Sequence, residues 1–591
     1  MLTRSRMVAQ LGSVGRAPDS RIDEGLGLEI CKSTHTGALV VATVRRFDEM
    51  YSVDIKVVAP DRHDYLFTAK EEGNGKASIP AQIDRLSEKP RTALRERKSE
   101  VEGSQASVAS VTTQNLEAYQ HYFLGQQHDD ALRTGEAIAE YEKAVALDLD
   151  FAGVVSLAGA KESEVPTSGR KAMARAMELL DHAPEKERLL IRALDAEFRG
   201  DVAEERALLE EAYRRYPQEK AVLTGLAGIA PDDETSVMWL KRALDVDPNN
   251  EGFMYTIIHN CTRSHRYEEA LEMARIRFAR KPSGDAQELL ANALFFVGRC
   301  DEALAEARKV KPRFGEDHGI PSLMRASCGD VAGARDELVD LIAAEPERRS
   351  LHFALGHVSM LLGQTHRAGV EYETAGQIAE RTDDNMQVAT ARLWAALAAQ
   401  MGGASPADIE ILLRRVSDVR GGQSWWYYYY LFHAYLLAGR LDDAERVPTG
   451  GDVPEERARM LVDAERLRIR GSLADAVAAY ETAATKLPYW ERPFARARQA
   501  SCLLDLGRAS EARTAVTEVE KDLALDDLPY VTLRPIAYYL EGRVEEAEGH
   551  DAAAIERYDK LLDLWKDADI CAPELDDARV RAAELRSKLR S

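Results

Sequence analysis

Six cysteines are spread through 591 residues (Cys31, Cys261, Cys300, Cys328, Cys502, Cys571), and no two form a Cys-x-x-Cys pair. Thiolate zinc sites and disulfide frameworks are announced by closely set cysteines, so neither is expected; the six read as small apolar residues on helix faces. Long apolar runs are missing too. The opening MLTRSRMVAQLGSVG lacks the apolar stretch of roughly 7–15 residues that marks a signal peptide. The best run, Ala38 to Val44, falls far short of the roughly 20 residues that span a bilayer. The chain therefore reads as soluble and cytoplasmic, with no membrane span. Basic charge is also scarce: 78 Lys+Arg stand against 100 Asp+Glu, a net charge of -22. Residues 1–110 are nearly balanced (17 basic, 16 acidic), which leaves 61 basic against 84 acidic for the remainder. A surface that neutralises phosphates needs clustered Lys and Arg, so a nucleic-acid partner is not expected.

Catalytic signatures are lacking as well. Gly73-Asn-Gly75-Lys76 has Ala69 and Ala77 where a phosphate loop needs glycine and Ser/Thr, so it reads as a turn. Glu24-Gly-Leu-Gly27 lacks the third glycine of a dinucleotide fingerprint. No H-E-x-x-H, G-x-S-x-G or kinase set is present. The acid pairs Asp232-Asp233, Asp383-Asp384 and Asp442-Asp443 fall at turns and helix starts, where carboxylates cap helices. Thirteen histidines are scattered without metal-ligand spacing. The expectation is a chain with no catalytic residue, no metal and no cofactor, and not an enzyme.

What is present divides the chain in two. Ile22–Cys31 suggests a short helix, and 38–44, 51–58 and 64–69 suggest a three-strand meander with turns at RFDEM and PDRH. A helix is expected from Pro80 to about residue 98, broken near Pro90. Residues 99–114 are small and polar, a linker. From Leu116 onward the pattern is helical and repetitive. A glycine followed five residues later by alanine occurs at Gly298/Ala303, Gly329/Ala334, Gly363/Ala368, Gly439/Ala444, Gly471/Ala476, Gly507/Ala512 and Gly549/Ala554. His265/Ala270 keeps only the alanine and Gly200/Glu205 only the glycine. Such a pair suits a helical hairpin: glycine turns the chain and a small residue lets the second helix pack closely. The second helices share Ala137/Tyr141/Ala144, Ala368/Tyr372/Ala375 and Ala476/Tyr480/Ala483, each set on one helix face. Pro217, Pro248, Pro282, Pro346 and Pro488 fall where those helices should stop.

Leu355-Gly356, Gly363, Ala368, Tyr372 and Ala375 resemble one nearly complete tetratricopeptide repeat (TPR), and Gly471, Ala476, Tyr480, Ala483 and Pro488 the second half of another. Stretches 151–184 and 386–420 depart from the pattern and leave the repeat count open there. Residues 15–60 together with VTTQNLEAYQHYFLG resemble the small α/β domain and junction of bacterial TPR proteins linked to Ser/Thr kinases or transcription regulators. In those relatives a further strand and helix usually come first, so the resemblance implies a domain truncated at its start. It transfers no catalytic residue. The fold expected is mainly α: a TPR-like α-α superhelix preceded by a small α/β domain. The domains are 1–98 (α/β), 99–114 (linker), 115–570 (repeat array) and 571–591 (capping helix).

One run stands out, Ser424-Trp-Trp-Tyr-Tyr-Tyr-Tyr-Leu-Phe-His-Ala-Tyr435, with Ser424 as the expected N-cap. The repeat register sends Tyr428, Leu431 and Tyr435 inward. Trp426, Tyr429, His433 and Leu436 form a second stripe, facing the concave groove. The same groove positions hold Phe353 and His357, and Tyr255 and His259, so an aromatic followed four residues later by His occurs three times. Two readings stand: these side chains pack against neighbouring hairpins, or they bind a peptide by stacking and apolar burial. Phe432 sits where such repeats favour a small residue. The function expected is a non-enzymatic scaffold for protein or peptide segments. The alternative is a sensory or regulatory region of a bacterial signalling protein whose kinase or DNA-binding effector lies elsewhere. The oligomeric state is left open.

Overall fold

The computed structural model describes residues 22–34, 36–60, 64–79, 115–130, 133–148, 166–178, 185–310, 319–417, 425–437, 439–447, 455–487, 491–522 and 533–590, with isolated residues between them. The expected linker 99–114, the Pro90 break and Ser424 lie outside the described residues or their side chains.

Helix α1 (Glu24–Ser33) starts where Asp23 accepts a hydrogen bond from the Leu26 amide at 2.9 Å, with Glu24 complementing the helix dipole. It lays Leu28 and Cys31 on Leu39 and Val58. Strands β1 (Leu39–Phe47), β2 (Met50–Val58) and β3 (Tyr65–Asn74) form an antiparallel sheet in that order. Tyr51 and Val53 pack instead with Ile79 and Leu86, so β2 is the strand with a core on both faces. Two expected turns are corrected. Arg46, Phe47 and Met50 belong to strands, because Phe47 pairs with Met50 and only Asp48 and Glu49 turn, Asp48 at φ 54. Gly73 and Asn74 likewise end β3, and the chain turns at Gly75.

Beyond residue 115 the fold is mainly α, a run of TPR-like hairpins. The chain divides into two compact units, 1–281 and 282–591. The first unit's hairpins include Leu116–Asp130 with Thr134–Leu147, Glu185–Arg199 with Val202–Arg215, Lys220–Gly228 with Asp233–Val246, and Glu251–Arg263 with Tyr267–Arg280. The second unit continues the pattern to Leu533–Ala547 with Asp551–Leu564 and ends in Pro573–Arg590, which buries Leu575, Ala578, Ala582 and Leu585.

The glycine–alanine register has the physical meaning expected of it. Gly298, Gly329, Gly363, Gly439, Gly471, Gly507 and Gly549 all have φ between 66 and 100°. Their partner alanines are buried to within 1% of complete exclusion from solvent. His265, standing in for glycine, takes the same left-handed conformation at φ 57. A second coupling lies within each hairpin. A Cβ placed on Gly356 would sit 2.4 Å from the Tyr372 ring, on Gly125 2.5 Å from Tyr141, and on Gly542 2.5 Å from Tyr558. Glycine in the first helix thus makes the room that a fully buried tyrosine of the second helix fills. Two of the three acid pairs cap as expected: Asp232 accepts from Thr235 N and Asp384 from Gln387 N, whereas Asp442 and Asp443 lie inside the first turn of a helix whose N-cap residue, Arg440, makes no side-chain cap bond.

Three features were not anticipated. Residues 386–420 contain an ordinary hairpin, Asn385–Met401 with Pro406–Ser417, turning at Gly402 and Gly403. Its second helix has Asp408 at the alanine position, which hid it. Cys300 and Cys328 form a disulfide (Cα–Cα 5.8 Å) between successive hairpins, which corrects the reading of both as plain helix-face residues. Cys31, Cys261 and Cys502 are buried as expected, whereas Cys571 is exposed. Third, the segment after residue 564 returns to the 349–380 hairpin of the same unit. The Trp565 indole N–H donates to Leu361 O at 3.0 Å. Asp569 accepts from the Thr365 amide (2.5 Å), its hydroxyl (2.7 Å) and the His366 amide (3.2 Å). It thereby caps a helix whose own N-cap residue, Gln364, supplies no side-chain bond.

Candidate functional site

The three aromatic–histidine pairs have one spacing and three environments. In the 349–380 hairpin, Phe353 is half-buried and His357 is 6% exposed. His357 Nδ1 shares a 2.7 Å hydrogen bond with the Tyr372 hydroxyl, and Trp394 of the following helix closes edge-on at 5.2 Å. Burial pushes the His357 pKa down to about 3 and that of Tyr372 well above the usual phenol value. Both groups are therefore neutral, and each satisfies the other.

In the 425–446 hairpin His433 is completely buried and Leu436 nearly so, within the core rather than on an open stripe. His433 Nε2 lies 3.5 Å from a Glu491 carboxylate oxygen. Phe432, at the small-residue position, is itself buried in the core. Tyr428, Leu431 and Tyr435 pack against the core as the register requires. The side chains of Trp426 and Tyr429 lie outside those described.

The 251–280 hairpin is different. Tyr255 is 38% exposed and its ring lies 4.2 Å from the His259 ring. His259 is half-buried, and its Nε2 has no hydrogen-bond partner. Burial, followed by the charges of Arg263 and Arg277, lowers its pKa to about 4. Arg277, on the second helix, is only 3% exposed. Its Nε and Nη1 have no acceptor, and its Nη2 is 3.6 Å from Glu251 Oε2. A buried guanidinium with unmatched donors is costly, since each desolvated donor loses water without regaining a bond.

No protein-family model and no curated protein matches the chain. Solved structures similar to it include Naa15/Naa10 bound to HypK-THB, at 12% identity over 80% of this chain and 78% of that one, with a TM-score of 0.25. The P58(IPK) TPR domain shares 13% identity over 69% of this chain and all of that one, with a TM-score of 0.20. The human IFIT1 dimer with PPP-AAAA shares 14% over 71% and 91%, with a TM-score of 0.27. At such scores the TPR-like character rests on the hairpin geometry above.

Arg277 was missed in the sequence, although a signal was there. Seven residues after the packing alanine, aligned hairpins hold Ala144, Ala375 and Ala483, whereas Ala270 is followed by Arg277. Four residues after it they hold Tyr141, Tyr372 and Tyr480, whereas here stands Ala274. The first helix compensates, carrying Ile258 where the 349–380 hairpin has Gly356. The Gly–Tyr pair has become an Ile–Ala pair, with volume roughly conserved and one hydroxyl deleted. That hydroxyl is the group that satisfies the histidine in the other hairpin. Elsewhere, among the described residues, Glu545, Glu548 and His550 cluster closely enough to hold a cation. Arg513 already occupies them, at 2.9 Å from Glu545 and 2.6 Å from Glu548. Also among the described residues, no helix is long and apolar enough to cross a membrane.

Proposed function

We propose that the chain is a non-enzymatic scaffold that binds protein or peptide segments along the first-helix faces of its hairpins. The observation that carries this reading is the Tyr255/His259 pair: an exposed aromatic ring in tilted contact with a histidine whose Nε2 is unused, on a repetitive helical framework. Repeated hairpins present side chains on an extended surface because each packs chiefly on its neighbours. An exposed tyrosine contributes large contact area at low conformational cost. His357, His433 and Leu436 support such a surface from beneath, and Phe353 contributes an edge. Trp426 and Tyr429 are proposed as a second contact through their place in the repeat register.

The test is affinity capture with the full chain, comparing wild type with Tyr255→Ala and with Trp426→Ala/Tyr429→Ala. Groove binding predicts that specific partners are lost while helicity by circular dichroism is unchanged. A folded variant that retains every partner removes its residues from the site. A variant that melts shows that they serve packing.

A further inference from the structure

The two edges of the three-stranded sheet are built differently. Strand β3 carries Lys70, Glu71 and Glu72, with Lys70 and Glu72 paired at 2.5 Å, and a register shift at Val57/Val58 interrupts its pairing with β2. Charges and irregularities of this kind keep an edge strand from acquiring a further neighbour. Strand β1 has neither from Leu39 to Val44. It pairs with β2 in unbroken register, and its other side meets no strand among the described residues. Val40 is 48% exposed and Val44 53%, and Ala42 between them is exposed as well. Leu11, ahead of the domain, is already fully buried against Leu26 and Ile30 of α1.

We propose that β1 is a docking edge for a second copy of this chain, the two strands pairing antiparallel about a two-fold axis at Ala42. A two-fold axis normal to the sheet keeps every side chain on its own face, so a residue can oppose only residues of that face. With the axis at Ala42, Val40 opposes Val44 of the second copy and Ala42 opposes itself. Within the chain Val40, Ala42 and Val44 pair with Val57, Ile55 and Val53 of β2. The apolar row therefore runs unbroken from one sheet into the other. The same register sets Arg45 against Leu39 and Arg46 against Ala38, at the two ends of the pairing. An axis at Thr43 would set Arg46 and Arg45 against Val40 and Val41, and one at Arg45 would set that cation against itself. An axis at Val41 would set Val44 against Ala38 and shorten the pairing. One strand pair is small beside the roughly 1,200–2,000 Å² of a stable interface, so monomer and dimer should exchange at micromolar concentration. The proposal is independent of the scaffold reading above.

The test is sedimentation equilibrium of the full chain from about 1 to 100 µM, a range that brackets micromolar dissociation. The mass should rise from the monomer's 65.6 kDa towards twice that value. Val44→Lys, which places an ammonium against Val40 at both ends of the apolar row, should weaken association at least tenfold. Val44→Thr, which keeps strand propensity, should retain it. Cross-linking reads the axis, in a Cys571→Ser background because that thiol is exposed. Ala42→Cys should oxidise to a covalent dimer, whereas Arg46→Cys, whose two copies would lie about 27 Å apart, should not. A chain that stays monomeric throughout, a Val44→Lys dimer as strong as wild type, or equal cross-linking at both positions overturns the proposal. If Val44→Lys disrupts the sheet itself, the cross-linking pair decides alone: a covalent dimer at position 42 and none at 46 upholds the interface, and any other result sinks it.

Discussion

The hairpins 251–280 and 349–380 place an aromatic and a histidine at the same two positions and then part company. In the second, Gly356 makes room for Tyr372, and one hydroxyl satisfies His357 inside a closed core. In the first, Ile258 and Ala274 fill similar space without a polar atom, and His259 and Arg277 keep unused edges. The difference teaches that repeat positions are exchangeable in volume but not in hydrogen bonding. A swap that leaves packing intact can convert a structural histidine into one that is available.

The comparison can be broken most forcefully with acid. Both histidines are held neutral in the fold, with pKa values of about 3 (His357) and about 4 (His259), below the ordinary value near 6.5. The unfolded chain takes up protons first, so stability is intact above pH 6.5 and falls as pH drops towards the folded values. The full loss would be about 5 kcal/mol for the 349–380 hairpin and about 3 kcal/mol for the 251–280 hairpin. Hydrogen exchange resolved by peptide, run from pH 7 to pH 4 on wild type and on His357→Gln and His259→Gln, should show protection falling more steeply in the histidine-bearing hairpin each time. Equal slopes in wild type and variant would refute neutral burial.

Removing the distinguishing hydroxyl should have a smaller effect. Tyr372→Phe leaves His357 Nδ1 buried without its partner, at a cost of about 1–3 kcal/mol. Urea denaturation would register this as a lower midpoint with unchanged slope. The smallest effect has the opposite sign. Arg277→Met replaces a buried guanidinium, two of whose nitrogens are unmatched, by an apolar chain of similar length and should stabilise by about 1–2 kcal/mol. A drop in melting temperature instead would mean that Arg277 already has its bonds, and the two hairpins would then differ only in shape.

Much of the fold was legible because it is periodic. The turn glycines and the alanines five residues on were visible as a register, and their left-handed φ and complete burial follow from it. The Asp232 and Asp384 caps were visible for the same local reason. The misses came from contacts that local pattern does not encode. The hairpin at 386–420 was hidden because its second helix packs Ile409 and Leu413 around Asp408 instead of an alanine. Cys300 and Cys328, separated by 28 positions, meet only because successive turns are stacked. His433 and Leu436 were assigned to a groove by helical spacing, and other hairpins of the second unit close over them. The candidate site was half legible: the spacing found Tyr255 and His259, while Arg277 needed the cross-helix contact.

The Asp569–Thr365 and Trp565–Leu361 bonds join positions 204 residues apart. An unfastened repeat array frays from its ends, and its stability is close to a sum of neighbour terms. Between residues 361 and 569 that arithmetic no longer holds, because the stretch is buckled to itself like a belt. Deleting the segment after residue 564 would strip a cap from a helix that begins at Thr365 and bare the floor beneath Gly363. Damage at the tail would therefore be felt in mid-chain, and the hairpins inside the buckle should loosen together rather than one after another.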